Sequence, residues 1–220
     1  GGHTMSALGD HLPARALEAF RVRGAEQLRE FDLVVSQHAD RVMAGLQEIL
    51  RAGRVPTELI ARNEAFLPMM MGMDPPGGVY THISGIDIVR TGPREFYVLE
   101  HNARTPSGVS YMLENRETML QMFPELFAKI SVREVSDYPL NLLKSLSACA
   151  PPQCNGTPTV AVLTPGIHNS AYFEHSFIAD QMGAELVEGH DLRVVNGRVA
   201  MRTTQGYTPI DVLYRRVDDD

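Results

Sequence analysis

The feature that most constrains the fold is a short apolar run with no polar alternation, TVAVLT, at residues 159–164. A run of this kind is typical of a strand that is covered on both faces in a parallel sheet. A Pro-Gly pair ends the run, Asn169 or Ser170 can cap a helix that continues to Met182, and residues 184–188 can form a second strand. Because parallel strands are joined by a crossover, this order predicts a βαβ unit with a right-handed connection.

A hairpin and one more strand are predicted after the βαβ unit. The pair Asn196-Gly197 separates the strand-like segments 193–195 and 198–202, and Asn-Gly favours a two-residue turn in which both residues have positive φ. A last strand over 210–214 leads into the charged run RRVDDD. The C-terminal part of the chain is therefore predicted to belong to the α/β class.

Helices and a further hairpin are predicted before this unit. Apolar residues recur at helical spacing over 13–50, 111–127 and 139–146. The segments 79–90 and 95–102 are rich in β-branched residues, and the Thr-Gly-Pro-Arg sequence between them favours a turn. The second strand ends in Glu-His-Asn, shortly before a Pro-Ser-Gly loop. A strand that becomes polar just before a loop points to a functional site there.

The predicted hairpin places three oxygen-bearing side chains on one face. If the register pairs Val89 with Val98, Asp87 lies opposite Glu100, and side-chain alternation puts Asn102 on the same face. Two carboxylates that face each other across a strand pair repel, so they either take up a proton or hold a cation. Magnesium fits such oxygen ligands and takes the rest of its shell from water and phosphate. The alternative is a solvated sheet face with weak ion pairs to nearby arginines.

Three longer motifs resemble one protein family. The sequences GIDIVR and EFYVLEHNARTPSGVSYMLENR lie within 85–116, LTPGIHNSAYFEHSFIADQMGAELVEGHDL spans 163–192, and YRRVDDD begins at Tyr214. They resemble the circularly permuted ATP-grasp proteins of type 2 that are related to glutathionylspermidine synthase, over roughly residues 54–220. The resemblance implies a partial, circularly permuted ATP-grasp fold of the α/β class: a β-hairpin/helix catalytic half, a Rossmann-like pre-ATP-grasp unit and N-terminal helices.

This resemblance implies an ATP-dependent carboxylate–amine ligase that forms a peptide or amide bond through an acyl phosphate. The implied cofactors are ATP and Mg²⁺, with Asp87, Glu100 and Asn102 as metal ligands. The implied partners are a small-molecule or peptide-like carboxylate and an amine, with no nucleic acid and no membrane. Arg104 and Arg90 are the implied catalytic residues, because a guanidinium stabilises anionic groups near the phosphates.

The resemblance also implies a set of substrate-binding residues. They come from the Pro-Ser-Gly loop, from the start of the predicted helix in the βαβ unit and from the end of the chain: Ser107, Gly108, Asn169, Ser170, Glu174, His175, Arg215 and Arg216. Backbone amides at a helix N-terminus are natural sites for a carboxylate. The alternative for Ser107 is an ordinary turn or helix cap, and for Glu174 and His175 it is capping and surface charge.

The domain organisation follows from the same resemblance. The expected parts are a tag remnant over 1–5, an N-terminal helical region over 6–75, the metal-binding half over 76–147, a linker over 148–158 and the Rossmann-like unit over 159–220. ATP-grasp enzymes cradle the nucleotide with a glycine-rich loop and lysines, but Lys129 and Lys144 lie away from any such loop. The cradling lobe is therefore expected beyond residue 220, and these residues alone are expected to bind ATP weakly and to be inactive.

Composition excludes several classes of protein. The net charge of −7 gives no nucleic-acid-binding signature, and no apolar stretch approaches the ~18 residues of a membrane span. With only Cys149 and Cys154, the chain offers neither a disulfide framework nor a zinc site, which favours a reducing cytoplasm. Two rival functions stay open: a non-catalytic ATP-grasp-like scaffold or binding protein, and a metal-dependent hydrolytic enzyme that does not use ATP.

Overall fold

The computed structural model describes residues 49, 51–64, 66–72, 81–103 and 105–217. These residues belong to two compact units, one that ends before residue 105 and one that begins there. The predictions for residues 1–48, for Arg104 and for residues 218–220 lie outside the described ranges. Within those ranges, no helix combines the length and the apolar character that crossing a bilayer requires.

The first unit contains two short helical segments and a β-hairpin. Helix α1 spans Thr57–Ala61, and a 3₁₀-helix spans Pro68–Met70. Strands β1 (Gly85–Gly92) and β2 (Glu95–Asn102) pair antiparallel in a two-stranded sheet. The predicted hairpin is therefore confirmed, although its first strand begins later than the sequence predicts.

The register of the hairpin is regular at its open end and shifts inside it. Asp87 pairs with Glu100, as the predicted register requires. The register shifts directly after this pair, and Leu99 becomes the extra residue of a β-bulge. The predicted pairing of Val89 with Val98 is wrong for this reason, because Val98 pairs with the preceding residue of β1. The irregularity thus lies immediately beside the two facing carboxylates.

Three helices begin the second unit: α2 (Val109–Met122), α3 (Pro124–Lys129) and α4 (Tyr138–Ser147). The sequence predicts one helix over 111–127, but the chain leaves helical geometry at Phe123, where φ is −130° and ψ is 51°. The proline that follows explains the break, because its ring disfavours the helical conformation of the residue before it.

A parallel sheet forms the centre of the second unit. Its strands are β3 (Val160–Leu163), β4 (Glu185–Val187) and β8 (Val212–Arg215), in the order β4-β3-β8. Helix α5 (Tyr172–Met182) connects β3 to β4, which pair parallel, so the predicted strand–helix–strand order is confirmed. Helix α4 contacts β3 and β8, and α5 contacts β3 and β4.

A three-stranded antiparallel sheet completes the unit, with β5 (Leu192–Val195), β6 (Arg198–Thr203) and β7 (Gly206–Pro209). The predicted Asn-Gly turn is confirmed, since Asn196 and Gly197 have φ values of 53° and 75° and join paired strands. Strand β7 is not predicted by the sequence. It is a short edge strand that ends in proline, which weakens the strand signal.

The two sheets of this unit share an apolar core. Its buried residues come from three strands and from the segment before β8: Ala161, Val187, Met201 and Ile210. The segment 148–158, predicted to be a linker, contains no helix or strand and lies within the same compact unit as its neighbours. The domain boundaries inferred from the sequence stay a prediction.

The loop after β3 contains a glycine in a backbone conformation that other residues rarely adopt. Gly166 has a φ of 101°, and a Cβ there would lie 2.8 Å from Oε2 at the movable end of the Glu188 side chain. Gly166→Ala is expected to lower the free energy of unfolding by about 1–3 kcal/mol, because of the backbone strain. The matched control is Gly189→Ala, where a Cβ meets nothing within 4 Å. Urea unfolding of both variants tests this, and equal losses would contradict it.

Candidate functional site

The open end of the hairpin carries a polar face. Asp87 and Glu100 are directly paired, so their side chains share one face of the sheet. Asn102 lies on that face too, because its Nδ2 donates a hydrogen bond of 3.4 Å to Asp87 Oδ1. All three side chains are exposed. The structure thus brings together the three predicted magnesium ligands.

The donor set on this face fits a hard divalent cation that keeps part of its own shell. Two carboxylates and one amide supply oxygen ligands, and the exposed side leaves room for water and phosphate oxygens. Among the described residues, no group of three or more His, Cys, Asp or Glu side chains could hold a metal ion by itself. An ion on the hairpin therefore depends on the side-chain amide of Asn102 and on oxygens of water or phosphate, in addition to the two carboxylates.

The predicted catalytic arginines are not both placed at this face. Arg90 binds the turn of the hairpin, where it donates to the carbonyls of Gly92 and Pro93 at 3.0 and 3.2 Å. Its guanidinium also lies 5.9 Å from the centre of the Phe96 ring. The structure therefore uses Arg90 to stabilise the turn, and Arg104 lies outside the described residues.

A second cluster of predicted site residues surrounds the carboxylate of Glu174 in the second unit. Its Oε2 accepts hydrogen bonds from the amides of Gly108 and Ser110 at 2.6 and 3.2 Å, and from the Ser110 hydroxyl at 3.0 Å. Its Oε1 lies 3.3 Å from Nη2 of Arg216. The amide of Gly108, which we predict to bind a substrate carboxylate, thus binds the carboxylate of Glu174. Ser110 is not predicted from the sequence, because it is polar, completely buried and distant along the chain from its partner.

The neighbouring histidine is also buried. His175 is 3% exposed, and its Nδ1 lies 2.9 Å from the hydroxyl of Thr164, which is 1% exposed. The Thr164 hydroxyl in turn accepts a hydrogen bond from the amide of Gly166 at 3.2 Å. Neither His175 nor Glu174 contributes surface charge, which was the alternative interpretation of both residues.

Two tyrosines complete the cluster. Burial raises the pKa of Tyr138 and of Tyr214 above the ordinary value of 10.0. Arg216 Nη1 donates to the Tyr214 hydroxyl at 3.3 Å. A cavity of about 20 Å³ lies among these side chains, which is room for one water molecule and not for an amino acid. In this structure the cluster is therefore a packed polar core.

The remaining predicted substrate residues lie at the surface or in a turn. Asn169 is half-buried, and its Oδ1 accepts a hydrogen bond of 2.9 Å from the amide of Ala171 just before α5. Ser107, Ser170 and Arg215 are exposed. The serine of the Pro-Ser-Gly loop is thus accessible, whereas the residues behind it are engaged within the protein.

Folding of this chain is expected to depend on pH through His175. Burial, followed by the charge of Arg216, holds the pKa of His175 below its ordinary value of 6.5, against an opposite effect of Glu174. The unfolded chain therefore binds a proton below pH 6.5 that the folded chain does not. The free energy of unfolding should fall as the pH falls below this value, with a slope of up to about 1.4 kcal/mol per pH unit.

Urea unfolding between about pH 5 and pH 7, the range around the ordinary histidine pKa, measures this slope. The variant His175→Gln should have a shallower pH dependence than the wild type. The control variant His168→Gln, which alters an exposed side chain, should follow the wild type. Equal slopes for the wild type and His175→Gln would contradict the prediction.

Comparison with known proteins gives the same family for most of the chain. Residues 40–220 match the family described as circularly permuted ATP-grasp type 2. An uncharacterized protein of Synechocystis sp. is 52% identical over 176 residues, which is 80% of this chain and 36% of that protein. An uncharacterized protein of Mycobacterium tuberculosis is 53% identical over 175 residues, which is 80% of this chain and 32% of that protein.

A more distant relative carries a functional name. A protein of Frankia casuarinae, named "Putative glutamate–cysteine ligase 2-2", is 41% identical over 146 residues, which is 66% of this chain and 17% of that protein. The chain spans about a third or less of the length of these curated relatives.

Proposed function

Because the chain belongs to the circularly permuted ATP-grasp family of type 2, we propose that it carries the magnesium-binding face of an ATP-dependent carboxylate–amine ligase. The observation that carries this proposal is the pairing of Asp87 with Glu100 on the exposed face that also holds Asn102. Facing carboxylates destabilise a strand pair unless something offsets their repulsion. A cation bound to the phosphates of ATP supplies that compensation.

The proposed reaction has two steps. An oxygen of the substrate carboxylate attacks the γ-phosphorus of ATP, the bond to the ADP oxygen breaks, and an acyl phosphate forms. The nitrogen of the amine then attacks the acyl carbon, inorganic phosphate leaves, and the nitrogen loses a proton. A magnesium ion at the hairpin would neutralise the charge that develops on the phosphate oxygens during transfer.

The residues of this chain hold and orient the reacting groups. Asp87 and Glu100 supply negative charge for the ion, and Asn102 supplies a neutral oxygen and fixes Asp87 through its amide hydrogen bond. Ser107 is exposed at the start of the second unit, and we assign it to the substrate carboxylate. We assign the hairpin to the metal-binding half of a partial ATP-grasp fold and the α/β part to its Rossmann-like unit.

The substrate class is inferred from the relatives. The name of the Frankia protein refers to glutamate and cysteine, and we propose that this chain serves an amino-acid or peptide-like carboxylate and an amine of similar kind. The relation to glutathionylspermidine synthases and a cytoplasmic location stay predictions from the sequence. Fold and family alone do not determine which acid or amine is used.

Hydroxylamine trapping tests the proposed reaction directly. The full-length gene product is incubated with ATP, Mg²⁺, hydroxylamine and a panel of amino acids and dipeptides, and ADP and hydroxamate are measured. We expect hydroxamate in amounts that match ADP for at least one carboxylate, because hydroxylamine intercepts an acyl phosphate. ADP without hydroxamate would show ATP cleavage without an acyl phosphate and would contradict the proposed reaction. No ADP with any carboxylate would support one of the two rivals, a non-catalytic scaffold or a hydrolytic enzyme that does not use ATP.

A further inference from the structure

The backbone has a positive φ on both sides of Ser107, which is costly at Thr105 and which glycine adopts readily at Gly108. Thr105 has a φ of 41°, and Gly108 has a φ of 110°. A threonine in this region is unfavourable because of its branched Cβ, and conformations of this kind persist only where surrounding contacts determine them. Ser107 lies between these two positions and is exposed. Contacts elsewhere must therefore hold the turn that presents this serine.

The carboxylate of Glu174 provides those contacts from another helix. Two backbone amides and one hydroxyl of Gly108 and Ser110 donate to a single oxygen of Glu174. The other oxygen is bound by the guanidinium of Arg216. Charge-assisted hydrogen bonds of this kind are about twice as strong as neutral ones. Helix α2 has no side-chain cap of its own at Gly108, so Glu174 serves as its acceptor.

The same carboxylate is closed to any substrate. Glu174 is 5% exposed and Arg216 is 6% exposed. Both of its oxygens already have protein donors, and the adjoining cavity of about 20 Å³ has room for a water molecule only. A role for Glu174 therefore has to act through the turn.

We propose that Glu174 is a positioning residue that fixes the Pro-Ser-Gly turn, so that Ser107 rather than Glu174 meets the substrate carboxylate. This inference rests on the proposed ligase function, which supplies the carboxylate substrate. It adds an explanation of how the turn that carries Ser107 is held in place. Arg216 orients Glu174 by binding its other carboxylate oxygen at 3.3 Å. Ser110 contacts Glu174 and carries the same constraint without touching the substrate.

Steady-state kinetics of the full-length gene product separate positioning from direct contact. Glu174→Gln and Ser110→Ala are each expected to raise the KM for the carboxylate about tenfold, the effect of losing roughly one charge-assisted hydrogen bond. The KM for ATP should not change. In the double variant, the rise in KM for the carboxylate should be smaller than the product of the two single rises, because both substitutions act through one contact. The control is Asp180→Asn, which alters an exposed side chain of the same helix and should leave both KM values unchanged.

Other kinetic results would overturn the proposal. A lower kcat at unchanged KM for the carboxylate would give Glu174 a purely structural role. A higher KM for the carboxylate in Glu174→Gln with an unchanged KM in Ser110→Ala would mean that Glu174 contacts the substrate itself. A wild-type protein without turnover would contradict the proposed function, and the positioning role is then decided by the next measurement.

Hydrogen exchange followed by mass spectrometry tests the turn without any turnover. In Glu174→Gln, amides of residues 105–110 should exchange at least about tenfold faster than in the wild type, since local opening becomes easier. Strand β3 should lose less protection than residues 105–110, because the unpaired charge of Arg216 weakens the whole unit whereas the turn also loses its own contacts. The protection that β3 retains shows that the unit remains folded. Unchanged exchange at 105–110 would overturn the positioning role whatever the activity of the protein.

Discussion

Replacing Asp87 with asparagine is expected to lower kcat for carboxylate-dependent ADP formation by about 10²–10³-fold, the usual effect of losing one preorganised electrostatic stabiliser. The substitution keeps the size of the side chain and an oxygen that can accept from Asn102. It removes the negative charge that we propose holds the ion against the phosphates. The measurement is ADP release by the full-length gene product under saturating ATP and Mg²⁺.

The control for this prediction lies in the same hairpin. Glu95→Gln removes a carboxylate from β2 at the turn, where Glu95 accepts a hydrogen bond from Thr91. It is expected to leave kcat within about threefold of the wild type, as most surface changes do. If Asp87→Asn retains wild-type turnover while folded, Asp87 does not hold the metal. Equal losses in both variants would point to a general defect of the hairpin.

Removing Arg216 is expected to destabilise the second unit by about 3–5 kcal/mol, because the variant Arg216→Met leaves the buried charge of Glu174 without its partner. Both side chains are almost completely buried, so water cannot compensate. The double variant Glu174→Gln/Arg216→Met is expected to recover most of this loss. The glutamine keeps an oxygen for the amides of Gly108 and Ser110 and introduces no unpaired charge.

An ion pair with an exposed guanidinium in the same unit gives the matched control. Arg198 binds Asp211, and their side chains are 48% and 12% exposed. Arg198→Met should cost at most about 1 kcal/mol, as is usual for surface pairs. Urea unfolding of all these variants tests the contrast. Comparable losses for Arg198→Met and Arg216→Met would contradict the view that burial makes Glu174 and Arg216 critical.

The sequence predicts those parts of the fold that depend on local signals. The apolar run at β3, the helix that ends at Met182 and the Asn-Gly turn each depend on local signals, and the structure confirms them. The break at Phe123 had a local signal as well, the proline that follows it. The bulge at Leu99 had none, since no glycine or proline marks it.

The candidate site also has features that the sequence predicts and features that it does not. Alternation around a turn predicts that Asp87 and Glu100 share a face, whereas their exact pairing also depends on two register shifts for which the sequence has no signal. The contacts of Glu174 join segments 64 and 66 residues apart, and periodicity carries no information about them. The buried state of Glu174 and His175 therefore could not be derived from the chain alone, and their assignment to the surface or to substrate was equally open.

The most direct measurement is paramagnetic broadening of the amide signals of this chain by Mn²⁺ in the presence of ATP. Broadening is expected on both strands where the carboxylates face each other, around Asp87 and from Glu100 to Asn102. The turn around Gly92 and Pro93, which lies at the opposite end of the hairpin, should keep sharp signals. Broadening elsewhere that leaves Asp87 and Glu100 unaffected would show that this hairpin is not where the metal and nucleotide meet.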